Sequence, residues 1–188
     1  MKFKYILFGF ITLALLAGCA KPPIAEMDSA REAVFRAEND EAAVIYGGSS
    51  LARARDSLRR MQVEADSKRY DAAKTHAAEA IAAADRAITE GKTGLARAKS
   101  ESESLLTGLR PAIEETERNI NGARYSLLNL DYAQMNNEVA KAYETTEQAE
   151  VDQAMGRYQA AMEKGRDVRA SLGTINQQIA DAVPRKKS

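Results

Sequence analysis

The feature that most constrains the fold is an unbroken stripe of small and apolar residues in the middle of the chain. From Tyr70 onward these residues recur at spacings of three and four, the repeat of one face of an α-helix. The stripe keeps its phase through Ala73, Ala77, Ala80, Ala84, Ile88, Gly91, Leu95, Ala98, Ser102, Leu105 and Leu109. Phase continuity predicts one helix of ~55 Å from Tyr70 to Leu106. A bend or break at Gly91 or Gly94 is the alternative, since glycine costs ~1 kcal/mol relative to alanine in a helix.

The composition indicates an all-α fold. After residue 18 the chain has 33 alanines, no tryptophan and one phenylalanine, Phe35. Alanine favours helices, and the aromatic and β-branched residues that favour strands are few. No period-two pattern or hairpin signal is visible. The 27 basic and 27 acidic residues balance, so no basic excess points to nucleic acid.

The apolar pattern in the first half of the chain predicts three helical segments. Residues 24–46 have a helical pattern, and Gly47-Gly48-Ser49-Ser50 is the clearest break, with Ser49 or Ser50 as the expected N-cap. A second stripe is formed by Leu51, Ala54, Leu58, Met61 and Ala65. The turn that separates this stripe from the long one is predicted at residues 66–68.

The second half predicts three further helical segments. Gly108 and Pro111 are expected to end or kink the long helix, because proline lacks a backbone donor. The stripe then continues through Ile113, Ile120, Leu127 and Leu130, followed by a polar joint at residues 129–131. Helices are predicted at about 132–155 and 157–183 with a turn at Gly156. Residues 184–188, Pro-Arg-Lys-Lys-Ser, read as a basic tail.

Residues 51–73 align with residues 139–161 without gaps, at an offset of 88 positions. Seven of the 23 pairs are identical, and four of them form the motif Arg-Tyr-x-Ala-Ala after the first helix of each copy. The motif residues are Arg69, Tyr70, Ala72 and Ala73 in the first copy and Arg157, Tyr158, Ala160 and Ala161 in the second. We therefore predict an internal duplication in which each copy is a helical hairpin.

Two architectures fit these hairpins. The first is an elongated antiparallel helical bundle with heptad-like, coiled-coil seams. The second is a stack of hairpins that resemble tetratricopeptide-like units. The period is not 34 residues, and the tryptophan and closing proline of that repeat are absent, so the bundle is preferred.

The first eighteen residues have the layout of an export signal. Lys2 and Lys4 precede an apolar run that is shorter than the ~20 residues a membrane-spanning helix needs. The following Leu16-Ala17-Gly18-Cys19 resembles the lipobox of bacterial lipoproteins. This resemblance implies cleavage before Cys19 and acylation of Cys19, the only cysteine, with residues 19–23 as lipidated cysteine and linker. Ala20 follows it, and by resemblance to Gram-negative sorting this favours the outer membrane, facing the periplasm.

Residues 22–88 resemble the bacterial domain-of-unknown-function 4398 family. The matching features are Pro22-Pro23, an alanine-rich first helix ending at Tyr46, the sequence Leu-Ala-Arg-Ala-Arg at residues 51–55, and Lys-Arg-Tyr-Asp-Ala-Ala at residues 68–73. The resemblance implies an envelope lipoprotein and no catalytic residues. In some members the family domain is followed by an OmpA-type peptidoglycan-binding domain. No such domain is recognisable in this sequence after residue 88.

No group of residues predicts a catalytic or metal site, and no cofactor is expected. His76 is the only histidine, and with Glu79 it fits a solvated helix face better than a metal site. Ser100, Ser102 and Ser104 have no activating base in sequence context. The tyrosines at 46, 70, 125, 132, 143 and 158 fit half-buried packing better than a ligand groove.

We therefore expect a non-enzymatic, lipid-anchored envelope protein. Its helical surfaces would contact another envelope protein or a second copy, and its partners would be the membrane and such a protein, without nucleic acid. The alternative is a periplasmic binding module that holds an apolar small molecule or lipid in a helical groove, because many small residues face larger apolar ones.

Overall fold

The computed structural model describes residues 21–183, and this range is almost entirely α-helical. Its helices are α1 Ile24–Glu38, α2 Glu41–Tyr46, α3 Gly48–Asp66, α4 Tyr70–Thr107, α5 Leu109–Tyr125, α6 Tyr132–Ala154 and α7 Tyr158–Ala182. Residues 21–183 contain no β-strand, so the predicted all-α class is confirmed. None of the helices in this range has the length and apolar character that a membrane crossing requires.

The helices belong to two compact units, which divide after Gly94. The N-terminal unit holds α1, α2, α3 and the first part of α4, and the C-terminal unit holds the rest of α4 with α5, α6 and α7. The long helix predicted from Tyr70 is confirmed, since α4 runs unbroken through Gly91 and Gly94 to Thr107. The predicted helix end near Gly108 is also confirmed.

In the N-terminal unit, α1 runs antiparallel to α3 and both pack on α4. Arg31 near the middle of α1 donates to Gln62 of α3 at 2.8 Å, and Arg55 of α3 donates to Glu38 at the end of α1 at 2.7 Å. The core is largely alanine, with a few larger side chains: its buried members are Met27, Ala30, Ala33, Val34, Ala37, Ala43, Leu51, Ala54, Met61, Ala73, Ala77, Ala80, Ala84 and Ala87. Small core residues let the helices approach closely.

In the C-terminal unit, α5, α6 and α7 also pack together with alternating directions. Arg110 of α5 binds Glu150 of α6 at 2.7 and 2.9 Å, and Asn119 of α5 donates to Asn176 of α7 at 2.8 Å. Hence α5 and α7 run parallel and α6 runs antiparallel to both. The core has larger side chains: its buried members are Leu106, Leu109, Ile113, Ile120, Met135, Val139, Ala142, Ala149, Ala161, Val168, Leu172 and Ile175.

The prediction of one helical segment over residues 24–46 was wrong, because the chain breaks after α1. The side chain of Asp40 caps the following helix, accepting a hydrogen bond from the backbone N–H of Ala43 at 2.8 Å. An aspartate in this position offers the backbone an alternative to continuing the preceding helix. The break therefore follows from a local side-chain bond that helical periodicity does not reveal.

The expected N-cap of α3 was also wrong, since Gly47 occupies that position instead of Ser49 or Ser50. A Cβ atom at Gly47 would lie 2.3 Å from the carbonyl oxygen of Ala87 in α4. Ser50 is buried inside α3 and its hydroxyl donates to Glu90 of α4 at 2.7 Å. The serine is thus used to join two helices, and the glycine allows a close backbone approach.

Glycines on α4 bring the short helix α2 into contact with it. A Cβ atom at Gly91 would lie 2.5 Å from the backbone nitrogen of Ala43, and one at Gly94 would lie 2.4 Å from Cβ of Tyr46. Both separations are far below ordinary van der Waals contact. The glycines that weaken the long helix in isolation are therefore required by its tertiary neighbour.

Replacing Gly91 with alanine should destabilise the protein by roughly 1–3 kcal/mol, because the new methyl group meets backbone atoms of α2 that must shift. Gly173 of α7 is the matched control, since a Cβ atom there meets nothing within 4 Å. Gly173→Ala should stabilise by about 0.5–1 kcal/mol through helix propensity. Urea unfolding of both variants measures the difference, and a stabilised Gly91→Ala variant would contradict the close contact.

The apolar stripe predicted after Pro111 is confirmed at Ile113 and Ile120, which are buried, but not at Leu127. Helix α5 ends at Tyr125, and the side chain of Leu127 is 89% exposed. Leu127 lies seven residues after Ile120, a spacing that would place both on the same helix face. The helix ends before Leu127, so this spacing no longer determines which way the side chain faces. The turns predicted at residues 66–68 and at Gly156 are confirmed, whereas the polar joint predicted at residues 129–131 begins earlier, with a turn at Ser126 and Leu127.

Candidate functional site

A surface groove of about 590 Å³ runs along the hairpin formed by α3 and α4. It is lined by Ser50, Ala52, Arg53, Asp56, Ser57, Arg60, Glu79, Ala82, Ala83 and Arg86. Several lining residues come directly before a core residue on the same helix, as Arg53 precedes Ala54 and Ala83 precedes Ala84. The groove therefore lies along one edge of the buried stripe, on the same side of both helices.

The lining of this groove combines charged and small side chains. Arg60 binds Asp56 through Nε at 2.8 Å, and Arg59 donates to the same carboxylate. The hydrogen bond from Arg59, together with the charge of Arg60, holds the pKa of Asp56 below its ordinary value. Asp56 thus lies on the α3 side bound to two arginines, and Glu79 supplies a carboxylate on the α4 side.

The C-terminal unit has a smaller groove of about 210 Å³ along the hairpin of α6 and α7. It is lined by Glu138, Lys141, Ala142, Thr145, Asp167, Val168 and Ser171. Here too a cation, Lys141, lies on the first helix and a carboxylate, Asp167, on the second. Ser171 donates a hydrogen bond to Glu138 across this groove at 3.3 Å.

The two grooves occupy equivalent positions in their hairpins, at an offset of 88 residues. The pairs that line both grooves are Ser50/Glu138, Arg53/Lys141, Ser57/Thr145, Glu79/Asp167 and Ala83/Ser171. The order of cation, hydroxyl and carboxylate is therefore the same: Arg53, Ser57 and Glu79 in one groove correspond to Lys141, Thr145 and Asp167 in the other.

Buried residues on the second helix of one hairpin also correspond to buried residues 88 positions later on the second helix of the other. The buried positions of α4 in the N-terminal unit correspond to those of α7 as Ala73/Ala161, Ala77/Gly165, Ala80/Val168, Ala84/Leu172 and Ala87/Ile175. The duplication itself stays a prediction, because hairpins that share a turn also share the register of their buried faces.

The predicted motif residues lie at the turns that create this register. Lys68 has a left-handed backbone, and the N–H groups of Lys68 and Arg69 donate to the carbonyls of Ala65 and Glu64, both at 2.9 Å. Gly156 is the equivalent left-handed residue between α6 and α7. This pattern is a Schellman motif, which satisfies the last carbonyls of a helix.

An arginine fixes each of these two turns by binding a carboxylate five residues earlier. Arg69 donates to Glu64 through two nitrogens, one of them at 3.0 Å, and Arg157 donates to Asp152 at 2.8 Å. Lys164 also binds Asp152. The hydrogen bonds from Lys164 and then Arg157 keep the pKa of Asp152 below its ordinary value.

The remaining motif residues begin the second helix of each hairpin, as predicted. Tyr70 and Tyr158 are the first residues of α4 and α7 and are half-buried. Ala72 and Ala160 are also half-buried, and Ala73 and Ala161 are fully buried in the two cores: the four alanines lie at equivalent positions. Tyr125 is the exception among the tyrosines that were expected to be half-buried, since its side chain is 90% exposed.

The residues predicted for processing and lipidation lie outside the described residues. These are Leu16, Ala17, Gly18 and Cys19, together with the basic tail at 184–188. The interpretation of these segments stays a prediction.

The Nδ1 atom of His76 lies 2.8 Å from the carboxylate of Glu79, and the imidazole is half-buried, although the sequence predicted a solvated helix face. Residues 21–183 contain no cluster of three or more histidine, cysteine or acidic side chains that would hold a metal ion. Ser102, one of the three serines considered, is buried and its hydroxyl donates to the backbone carbonyl of Lys99 at 2.9 Å.

Sequence reasoning missed both grooves, although a signal was available. Several residues that line them immediately precede the apolar stripe positions, and the aligned pairs Arg53/Lys141 and Ser57/Thr145 fall within the predicted duplication. The pairs Glu79/Asp167 and Ala83/Ser171 lie beyond its end and are aligned only if the same offset is continued.

Comparisons with known proteins agree with part of the sequence interpretation. Residues 25–102 match the family model described as Domain of unknown function (DUF4398). No curated protein and no solved structure matches the chain significantly. The match covers most of the residues on which the resemblance rested and continues along α4. The resemblance to the DUF4398 family is therefore confirmed over residues 25–102.

Proposed function

We propose that this protein is a non-enzymatic, lipid-anchored adaptor of the cell envelope, held on the outer membrane through Cys19 and facing the periplasm. Its two hairpin grooves each accept one helix of a partner protein. The observation that carries the proposal is the pair of grooves at equivalent positions, which keep a cation on the first helix and a carboxylate on the second.

The shape of the grooves favours a helix as the occupant. Each lies along two antiparallel helices whose other face already packs against a third helix, so a docked helix completes a four-helix arrangement. The lining of the larger groove includes Ala52, Ala82 and Ala83, and small residues allow a helix to approach closely. Helix-in-groove binding of this kind uses apolar anchors spaced by three and four residues.

Charge defines the orientation of the partner helix. An acidic side chain on its α3 side would face Arg53, and a basic one on its α4 side would face Glu79. The equivalent cation and carboxylate, Lys141 and Asp167, select the same arrangement in the C-terminal unit. Complementary charges at a rim contribute mainly to specificity and association rate.

Photo-crosslinking in cells tests this proposal. A photoreactive residue at Ala83 should give a specific crosslink to one envelope protein, within a segment of helical periodicity. Arg53→Glu should weaken that interaction roughly tenfold or more, because a like-charge pair at an interface costs several kcal/mol. Reversing the facing acidic residue of the partner should restore the crosslink.

The matched controls lie on other faces of α4. A photoreactive residue at Ala78, which is exposed and does not line the groove, should give no such crosslink. Lys92→Glu introduces the same charge change as Arg53→Glu at another exposed position and should leave the crosslink intact. A crosslink that is indifferent to Arg53, or no crosslink beyond background, would rule out the groove as the adaptor surface.

The alternative function is a binding module for an apolar small molecule or lipid. The volume of the larger groove, about 590 Å³, falls within the range of ligand sites, and its alanines provide apolar contact. Native mass spectrometry of protein purified from its own host distinguishes the two functions. A stoichiometric bound ligand that protects Ala83 from crosslinking would favour the binding module over the adaptor.

A further inference from the structure

The side of α4 that lines the larger groove carries opposite charges at symmetric positions. Glu79 and Arg86 lie seven residues apart, close to two helical turns, so both are on the same face. Ala82 and Ala83 occupy the midpoint between them, and all four residues line the groove. Reversing the direction of α4 about this midpoint exchanges the positions of Glu79 and Arg86. This face is therefore complementary in charge to a second, antiparallel copy of itself.

The symmetry extends to the helical turns on either side. Thr75 and Glu90 lie at equal distances from the same midpoint, and so do Ala72 and Thr93. Spacings of three and four residues keep these positions on the same face. The hydroxyls of Thr75 and Thr93 already donate to carbonyls of their own helix, at 3.1 and 3.0 Å. In an antiparallel pair of α4 helices, no like charges would therefore meet along this face between residues 72 and 93.

The same midpoint divides evenly the part of α4 that belongs to the N-terminal unit. This part runs from Tyr70 to Gly94, and its central residue is Ala82. Two antiparallel copies centred between Ala82 and Ala83 would overlap along almost all of this part, about 37 Å at 1.5 Å per residue. The charge pattern and the length of the helix therefore give the same centre for the pair.

Two arginines that line the groove, Arg53 of α3 and Arg86 of α4, form no ion pair within residues 21–183. They lie at the same level of the hairpin. Ser50 donates to Glu90 at 2.7 Å, and the two arginines lie about one turn from these residues, both towards the hairpin turn. Both arginines are exposed. Two unpaired cations side by side are suited to bind a carboxylate from another chain.

Glu79 can supply that carboxylate when it belongs to a second copy. Its side chain is 52% exposed, and its contact within the chain is with His76 at 2.8 Å. In the antiparallel pair, Glu79 of each copy lies opposite the two unpaired arginines of the other. Arg60, the remaining cation of the groove, is already bound to Asp56 at 2.8 Å. Each copy therefore provides the charge that the other lacks.

We propose that the occupant of the larger groove is α4 of a second copy of this chain, in an antiparallel pair with a two-fold axis between Ala82 and Ala83. The alanines of both copies meet at this axis and let the helices approach closely. Two symmetric Glu79–Arg86 ion pairs fix the register, and the same surface serves both subunits. This assignment rests on the proposed function, because it names the partner of one of the two grooves.

The groove of the C-terminal unit does not offer the same pairing. At the offset of 88 residues, Asp167 corresponds to Glu79, but Thr174 corresponds to Arg86 and carries no charge. Helix α7 therefore lacks the reciprocal ion pair. The second copy fills the larger groove, and the smaller groove of each subunit stays open to a helix of a different envelope protein.

Disulfide crosslinking of the full chain in its own cell envelope tests the pairing. Ala82→Cys places a thiol beside the axis, where the two Cα atoms come within the about 4.4–6.8 Å that a disulfide needs. Mild oxidation should convert most of this variant into a disulfide-linked dimer. Ala78→Cys is the matched control on the same helix, because the pairing separates its two copies by about 14 Å along the helix axis. It should stay monomeric on non-reducing gels.

Charge reversal tests the register of the pair. Glu79→Arg and Arg86→Glu should each weaken the dimer roughly tenfold or more, because each change creates two like-charge contacts across the axis. Produced together with different tags, the two variants should co-purify, since the mixed dimer has opposite charges at both contacts. Asp167→Arg makes the same change at the equivalent position of the smaller groove and should leave the dimer intact. These three positions are exposed, so helical circular dichroism should be unchanged in all variants.

The outcomes distinguish a second copy from other occupants of the groove. Equal crosslinking at residues 78 and 82, no dimer with Ala82→Cys, or failure of the two reversed variants to co-purify overturns the pairing. A photoreactive residue at Ala83 that crosslinks to a different envelope protein, and not to this chain, excludes the second copy and leaves the adaptor function standing. A crosslink from Ala83 to a second copy supports both.

Discussion

Replacing Cys19 with serine should leave the protein uncleaved, unacylated and released from its anchor. Acylation needs the thiol of Cys19, and the chain has no other cysteine to substitute for it. Each buried methylene of an acyl chain contributes about 0.8 kcal/mol, so two chains make a stable anchor and their loss removes it. Palmitate labelling in cells measures the loss of acylation and electrophoretic mobility measures the loss of cleavage, and both losses should be complete.

Ala20→Ser is the control for Cys19→Ser, because it changes the adjacent residue and keeps the thiol. It should be labelled, cleaved and recovered with membranes like the unaltered chain. Palmitate incorporation into Cys19→Ser would refute the interpretation of Leu16-Ala17-Gly18-Cys19 as a lipobox. The proposed adaptor function depends on this anchor, whereas the crosslinking experiment tests the groove itself.

Replacing Met61 with alanine should destabilise the protein by about 2–5 kcal/mol. Its side chain is fully buried in the alanine-rich core of the N-terminal unit, at 0% exposure. Truncation removes apolar contact and leaves a cavity, and the cost rises with the cavity that remains. We expect the upper part of that range only if the surrounding helices cannot close around the gap. Urea unfolding followed by helical circular dichroism measures the change.

Val63→Ala is the matched control for Met61→Ala. Val63 lies two residues further along α3 and is 53% exposed, so its truncation should change the free energy of unfolding by less than about 0.5 kcal/mol. Similar midpoints for the two variants would show that Met61 does not contribute to the core as its burial indicates.

Much of the helical architecture was predictable because it depends on local chemistry. The stripe from Tyr70 correctly predicted a long helix, and the hairpin turn before it was correctly placed. Periodicity succeeds where each helix continues across several turns, because its buried face repeats every three to four residues. It failed at Asp40, where one side chain caps a helix, and at Leu127, where the phase outlasted the helix.

The candidate grooves were less accessible to prediction, because each is made by two helices together. The sequence shows Arg53 and Glu79 as charged positions beside apolar stripes, but does not indicate which face of the hairpin the third helix covers. Similarly, the sequence alone suggested a bend or break of α4 at Gly91. Its contact with α2 could not be predicted, because the residues of α2 are distant in sequence. A glycine required by contact and one that interrupts a helix have the same sequence signature.

The sequence by itself determined the all-helical class, the long central helix, the hairpin turns and the resemblance to the DUF4398 family. Helix propensity, apolar spacing and turn residues all act over a few neighbouring positions. Only the tertiary structure decided the position of α2 against α4, the matching grooves and the exposure of Leu127. These features depend on which helix faces pack together, and side chains far apart in sequence set that choice.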